Sequence, residues 1–440
     1  MTSRQLIFRI LTEFDKHPGN LDRIIDFGLR GSGLDHRDRR FVFEIVYGVV
    51  RWQLTLDNMI DQYLTGQSSA KDPALYRILR IGIYQLLYMR IPDHASVNET
   101  VRLAKSNTIT SRFASVVNAV MRNIIKNKAA VTLPKPEIDL AGRLSVEYSH
   151  PRWMVERWMK NYGLSNTKKL LKFNNEKPTI HLRRKLRDIS KPQFEADVRT
   201  ICEQASDYLN LYYKLKKSLL PENIQMIQQG LCNVQAPSSG WVTAMMDVKK
   251  GEHILDLCSA PGGKTALMSE LVSDTGTVVA CELKWGRIKS VIEMVKRMRL
   301  RNVYTLLCDG VFPPFMGCFD KVLLDVPCSC TGVLHRHPEA RLIRTIQDIE
   351  RLPEIQRKLL DSSASLVGKD GIIVYSTCSI EPEENEMVIK SFLDEHKEFV
   401  LDRIPDTIPE RYISNSGFLQ ITPFEHAMDG MFAARLRKVY

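Results

Sequence analysis

Over residues 1 to about 130, apolar side chains recur three or four apart, as in Phe41/Ile45/Val49, Leu75/Ile78/Leu79, Val97/Val101/Ala104 and Val116/Val117/Val120/Met121/Ile124. That spacing lines one face of an α-helix and predicts a small all-α domain. Breaks at His17-Pro18-Gly19-Asn20, Gly31-Ser32-Gly33, Gly66-Gln67-Ser68-Ser69 and Ile91-Pro92-Asp93 separate its helices, and Lys128 to Pro136 reads as its exit linker. Residues 140–240 are mixed: a helical stretch over Trp153 to Tyr162, then a basic block, then alternating segments such as Ile180-His181-Leu182. They predict a small α+β connecting unit.

From about 245 onward strands and helices alternate in the manner of a parallel sheet. Strands are expected at His253–Leu257, Thr277–Cys281, Val303–Leu307, Lys321–Val326 and Gly371–Ser376, with helices over Lys264–Val272, Lys284–Arg299 and Arg341–Val367. A last apolar run, Met431–Leu436, is expected to close the sheet. The expected division is therefore three domains, 1–135, 136–240 and 241–440.

Composition is that of a globular chain, 440 residues long with 44% hydrophobic and 26% charged residues. No apolar stretch approaches the ~18 residues of a membrane span, and the amphipathic start carries no signal-peptide core, so a cytoplasmic protein is expected. The nine cysteines, at 202, 232, 258, 281, 308, 318, 328, 330 and 378, show no paired zinc-type spacing. Reduced thiols are expected, and neither a disulfide framework nor a bound metal. His335 and His337 form an H-x-H that reads as loop or RNA-facing residues.

Charge is concentrated rather than spread. The net charge is +11, yet residues 101–200 hold 21 basic and 8 acidic residues, a local +13, leaving −2 for the remainder. Lys168, Lys169, Lys172, Lys177, Arg183, Arg184, Lys185 and Arg187 belong to this block. A block of one sign in an otherwise neutral chain favours a polyanionic partner, RNA or DNA.

The candidate chemistry lies in loops after strands, where open α/β sheets place their ligands. Leu255-Asp256-Leu257-Cys258-Ser259-Ala260-Pro261-Gly262-Gly263-Lys264-Thr265 is a strand, a small-residue turn and a helix start. Glycines there admit close backbone approach, and the helix N-terminus favours an anionic group. Gly263-Lys264-Thr265 matches the end of a P-loop, but Cys258 stands where the first glycine is required and Pro261 lacks an N–H. The dinucleotide fingerprint is absent, which leaves a nucleoside cofactor without phosphates to wrap. Glu282, 19 residues after Gly263, is placed to meet ribose hydroxyls, and Asp309 to hold the base edge. Two further turns, Asp325-Val326-Pro327-Cys328-Ser329 and Tyr375-Ser376-Thr377-Cys378-Ser379, each put a thiol directly after a strand. One thiol is a candidate nucleophile and the other a candidate for undoing the covalent bond.

With these residues the chain resembles the bacterial Sun/Fmu-type 16S ribosomal RNA cytosine-C5 methyltransferases, within the RNA 5-methylcytosine methyltransferases that include the NOL/NSUN proteins. The likeness covers nearly the whole length and is most specific at Asp256–Thr265, Asp325–Glu339 and Tyr375–Glu386. Asp38–Gly48 and Val117–Arg122 are similar to the NusB-like helical RNA-binding domain of that family, and Ser149-His150-Pro151 and Asp429-Gly430-Met431-Phe432 recur in it too. The resemblance implies a Rossmann-like catalytic domain and S-adenosylmethionine as cofactor, contacted by Cys258, Ser259, Ala260, Pro261, Gly262, Gly263, Lys264, Glu282, Asp309 and Asp325. It implies Cys378 as nucleophile and Cys328 as the residue assisting release. Val326 departs from a usual alanine, Cys330 from a usual glycine, and no acidic residue follows Gln235 where one is common.

Cytosine C5 is a poor nucleophile, and thiolate addition at C6 turns the ring into an enamine that can attack a sulfonium methyl. Cys378, read as preceding a helix start over Ser379 to Pro382, would gain thiolate character from the helix dipole. Glu381, Glu383, Glu384 and Glu386 are expected mostly to face solvent. Asp325, set toward the pyrimidine's polar edge, would favour protonation at N3. The expected partner is naked or early-assembly 16S RNA, with no obligate protein partner and a monomeric state. Three other readings are a transfer-RNA cytosine-C5 methyltransferase, a non-catalytic RNA-binding assembly or antitermination factor, and a P-loop nucleotidase.

Overall fold

A computed structural model describes residues 1–64, 72–127, 133–135, 137–204, 208–216, 224–317 and 319–440. The exit linker at 128–136, apart from 133–135, the Gly66–Ser69 break and Cys318 lie outside the described residues. Two compact units emerge, one of residues 1–176 with 334–344, the other of 177–333 with 345–440.

The first unit is helical, as its periodicity predicts. Its first helix, Ser3–Lys16, is started by a capping box between Thr2 and Gln5 and buries Leu6, Ile7, Ile10, Leu11 and Phe14. Helices His36–Arg51, Pro73–Tyr88, Asp93–Lys105 and Ala114–Lys126 add Ile45, Val49, Ile78, Leu79, Val97, Val120 and Met121 to the same core. The stretch read as Trp153 to Tyr162 belongs to Arg152–Asn175, which is broken at Gly163, whose φ of 73° no helix accepts. Residues 334–344 complete this unit. Arg341, fully buried, donates to the carbonyls of Arg51, Ser149 and Asn174 and to Asn175 Oδ1, while Leu342 and Ile343 pack on the core. The helix expected over Arg341–Val367 is consequently two: Ala340–Ile343, then Ile346–Ala364, restarted by a capping box between Thr345 and Asp348. His335 is buried against the Phe173 ring, and its carbonyl accepts from Arg51 Nη2. It lies in a turn, as a loop residue was expected to, but its side chain is packed into the helical unit.

The second unit carries two sheets. The smaller is antiparallel, in the order β2 (Cys202–Gln204), β3 (Tyr212–Leu215), β1 (His181–Arg184), β4 (Cys232–Val234). The larger runs β10 (Phe399–Leu401), β12 (Met431–Lys438), β9 (Val367–Thr377), β8 (Phe319–Asp325), β5 (His253–Asp256), β6 (Thr277–Glu282), β7 (Val303–Leu307), with β11 (Leu419–Ile421) also paired to β12. β5 to β9 are parallel, whereas β12 is antiparallel and lies between β9 and β10. Alternate residues bury on opposite faces: Leu255, Val322, Leu324, Ile373, Tyr375 and Phe432 in one core; Ile254, Leu323, Ile372, Val374, Met431 and Ala433 in the other. Both faces are covered, which is why these strands read as continuous apolar runs. Among the described residues no helix is long and apolar enough to cross a membrane.

The basic block divides. Lys168, Lys169, Lys172, Lys177 and Arg187 are exposed, but Arg183, Arg184 and Lys185 are buried. Arg183 Nη1 lies 2.9 Å from Glu270 Oε1 with both side chains almost wholly enclosed, and Lys185 Nζ donates to Met298 O. Those three cations serve the interior and contribute nothing to an exposed basic face.

Candidate functional site

The strand order reverses at β5, which has β6 on one side and β8 on the other, so loops after β5, β6, β8 and β9 open on one crevice. Asp256 ends β5, buried, with Oδ2 accepting from Thr265 Oγ1 at 2.6 Å and Oδ1 without a partner. Burial pushes its carboxyl up to about 7, with Thr265 opposing and the Asp325 charge assisting the shift. The loop that follows is pinned to β6: Ser259 N and Oγ both donate to Cys281 O at 2.9 Å. Cys258 is half-buried, its thiol driven upward by burial and by the Glu282 charge. Ala260-Pro261 is a cis peptide. Gly262 has φ 102°, and a Cβ there would meet Met294 Cε at 2.5 Å, so this turn requires glycine. Helix Gly263–Val272 begins directly after it.

Glu282, at the end of β6, is buried and accepts from the N–H groups of Leu283 and Lys284, with Oε2 3.1 Å from Arg287 Nε. Asp309 is exposed and accepts from Val311 N, capping its own loop. Lys264 Nζ lies 2.6 Å from Asp325 Oδ2, and Ser376 Oγ donates to Asp325 Oδ1 at 2.9 Å. Asp325 is thus clamped between the first turn of helix Gly263–Val272 and β9.

Cys328 and Cys378 meet. In-register pairing of Leu324 with Tyr375 and Asp325 with Ser376 sets the two turns side by side, and the Sγ atoms are 3.2 Å apart. Gly332 N donates to Cys378 O, and a Cβ at Gly332 would meet that oxygen at 2.8 Å. The helix start expected over Ser379 to Pro382 is absent. A 3-10 turn occupies Pro382–Glu384 and the α-helix begins at Glu386, so the helix start expected to stabilise the Cys378 thiolate is not formed there. Cys378 is instead held protonated by the neighbouring Cys328 and Cys330 thiols and by burial, and Cys328 is likewise raised, chiefly by Cys330.

The acidic run also departs from expectation, because Glu381 and Glu384 are fully buried. Glu384 Oε2 accepts from Ser329 N at 2.8 Å and Gln356 Nε2 at 2.9 Å. Its Oε1 accepts from Ser379 Oγ at 2.7 Å and from Ser329 Oγ. Ser329 and Ser379 directly follow the two thiols, so one carboxylate fixes both turns, while burial raises its own pKa. Tyr375 OH donates to the Glu384 carbonyl, and Gln356 Nε2 also reaches Pro327 O. Period-based reading missed this residue; its signal was the pair of serines placed identically after Cys328 and Cys378.

A nucleoside bearing a charged tail fits the loop around Gly262. The turn supplies glycine backbone rather than a full set of N–H groups, and Gln235 Nε2, buried and without a partner, lies against Gly263, where an added Cβ would approach it to 3.4 Å. That donor awaits an acceptor.

Residues 243–437 match the family described as 16S rRNA methyltransferase RsmB/F, residues 1–126 the NusB family, and residues 150–199 the ferredoxin-like domain of RsmF/B-like methyltransferases. The probable ribosomal RNA small subunit methyltransferase B of Synechocystis sp. is 33% identical over 100% of both chains. The ribosomal RNA small subunit methyltransferase B of Vibrio cholerae is 34% identical over 91% of this chain and 90% of its own. The crystal structure of PH0851 superposes with a TM-score of 0.82 at 25% identity, covering 99% of this chain and 98% of that one.

Proposed function

Because the chain belongs to the RsmB/F family of 16S rRNA methyltransferases, we propose that it methylates C5 of one cytosine in 16S ribosomal RNA, using S-adenosylmethionine and a covalent cysteine–C6 adduct. The observation that carries this reading is the 3.2 Å approach of Cys328 Sγ to Cys378 Sγ beside the Lys264–Asp325 pair, at the carboxyl ends of adjacent parallel strands. S-Adenosylmethionine supplies an electrophilic methyl group on a sulfonium. Cys258 to Lys264, Glu282, Asp309 and Asp325 are the residues that would hold it, with Gln235 Nε2 as a further donor.

Cys378 is the attacking thiol. Its proton passes through solvent to N3 as the S–C6 bond forms, and C5 becomes the nucleophilic carbon of an enamine. Asp325, fixed by Lys264 and Ser376, presents a carboxylate to the pyrimidine's polar edge. After transfer Cys328, having given its own proton to solvent, takes the C5 proton; the S–C6 electrons return to Cys378 as thiolate, which recovers the N3 proton as aromaticity returns. Glu384 keeps the two sulfurs at their mutual distance and is a positioning residue.

A cytosine paired in a stem cannot reach a thiol in a crevice, so the target base lies in a loop or is flipped out. The exposed Lys168, Lys169 and Lys172 would hold flanking phosphates. The protein works in the cytoplasm as a monomer and needs no protein partner. Incubation with methyl-labelled S-adenosylmethionine and unmodified 16S RNA, 23S RNA or transfer RNA, followed by bisulfite mapping, tests the reading. One protected cytosine in 16S RNA is expected; label confined to another RNA would replace the substrate, and no label in any would overturn the activity.

A further inference from the structure

Three thiols, rather than two, converge beyond β8 and β9. Cys330 follows Cys328 by two residues, and the Sγ atoms of Cys328, Cys330 and Cys378 all lie within 4.8 Å of one another. Among the described residues this is the one set of three cysteine, histidine or acidic side chains whose ligand atoms gather so closely. The methyl-transfer scheme employs Cys328 and Cys378 as reacting thiols, while Cys330 forms no bond to the base in it and only biases their protonation.

We infer that Cys328, Cys330 and Cys378 form a three-thiolate site for one Zn²⁺ ion, and that the ion competes with cytosine for the attacking sulfur. The second half of this rests on the reading of Cys378 as nucleophile; the first half does not. Thiolates bound tetrahedrally at about 2.3 Å from zinc lie about 3.8 Å from each other. The sulfurs here range from 3.2 Å between Cys328 and Cys378 to no more than 4.8 Å, so displacements of roughly 1 Å or less complete the set. Cys330 and Cys378 are only half-buried, which leaves the fourth position to water. The framework is built rather than floppy: Ser329 and Ser379 are both tied to Glu384, and Gly332 N to Cys378 O. Each thiol gives its proton to solvent as its S–Zn bond forms, and no electron is transferred. Thiols kept protonated by burial and by one another yield those protons to a dication, whose charge removes the conflict among three neighbouring thiolates.

Cys330 also permits a clean test. Its φ is 65°, the left-handed region that glycine enters freely. Cys330→Gly therefore deletes one ligand while suiting the backbone, and leaves both thiols of the methyl-transfer scheme in place. Purified full-length protein, kept reduced with a phosphine, would be titrated with Zn²⁺ against a chromophoric chelator, without RNA. The expected result is one Zn²⁺ per chain for the native sequence and affinity at least about tenfold weaker in Cys330→Gly. RNA methylation by the native protein should then fall with stoichiometric Zn²⁺ and return on chelation, while Cys330→Gly keeps its own zinc-free rate, whatever that rate is, when the same Zn²⁺ is added. Equal zinc affinity in the two proteins, or none in the native one, would overturn the site. A Cys330-dependent zinc site in a protein that labels no RNA would retain the metal site and sink only the methyl-transfer reading.

Discussion

Cys328 Sγ and Cys378 Sγ, fifty residues apart in the chain, lie 3.2 Å apart in the fold. Neighbouring sulfurs so close cannot both be charged cheaply, which suits a pair in which one adds to the ring while the other stays protonated until it is needed. Replacing Cys378 by Ala is expected to abolish methyl transfer and yield no covalent RNA complex. With Cys328→Ala, turnover should fall by about 10²–10⁴-fold, and a protein–RNA adduct resistant to denaturation should accumulate, visible as a shifted band on a denaturing gel. An adduct in Cys378→Ala and none in Cys328→Ala would reverse the roles.

Removing the lysine ammonium from the Lys264–Asp325 pair leaves a carboxylate at the crevice with only Ser376 for company. Lys264→Met should cost about 1.5–3 kcal/mol of folding stability and weaken cofactor binding. Chemical denaturation with and without S-adenosylmethionine measures both. Unchanged binding would show that the pair is structural alone.

Glu384→Gln replaces an acceptor of four donors with a group that must turn an NH₂ toward some of them. Stability should drop by about 1–3 kcal/mol, and methyl transfer by about 10²-fold through misplaced sulfurs, with cofactor affinity unchanged. A loss of affinity equal to the loss of rate would argue against a role confined to the thiol turns.

Asp256 sets a pH dependence of stability. Its carboxyl titrates near 3.8 when unfolded and at about 7 when folded, so between those values the native state binds the extra proton. Stability from this group is therefore greatest below about 4, declines as pH rises to about 7, and is flat above. Thermal unfolding from pH 5 to 8 should show that decline in the native protein, and Asp256→Asn should flatten it. A decline of the same size in the variant would place its origin elsewhere.

Neutralising Lys168, Lys169 and Lys172 together should lower the slope of log affinity for RNA against log salt by roughly 2–3, without loss of stability. Arg183→Ala should do the opposite, costing about 3–5 kcal/mol by leaving the buried Glu270 charge, among the described residues, with only the Leu186 N–H as donor and leaving the salt slope alone. Filter binding over a salt series, paired with denaturation, separates the two.

Local pattern made the helical unit and the parallel strands legible, because both periods act within a few residues: the Val303–Leu307 strand was expected with its observed bounds, and Thr277 and Gly263 begin elements within a residue of expectation. The glycine turn after β5 and both thiol turns were equally local as backbone features. What could not be read were the consequences of long-range packing. Nothing near Arg183 announces Glu270, and helical spacing misassigned Glu384, since a 3-10 turn precedes the helix that begins at Glu386. His335 reads as a loop or RNA-facing residue; it does lie in a turn, but its burial depends on Phe173 and Arg51, far back in the chain.

The return of residues 334–344 to the amino-terminal helices bears on how the chain is made. Arg341 supplies donors to carbonyls at Arg51, Ser149 and Asn174, the last of them 167 residues earlier. At synthesis rates of about 5–20 residues per second, a ribosome needs roughly 10–30 seconds to travel from that asparagine to the arginine. The domain that emerges first therefore waits on the tunnel for its final buttress, and its co-translational maturation is timed by elongation through the very stretch that encodes the Cys328 turn.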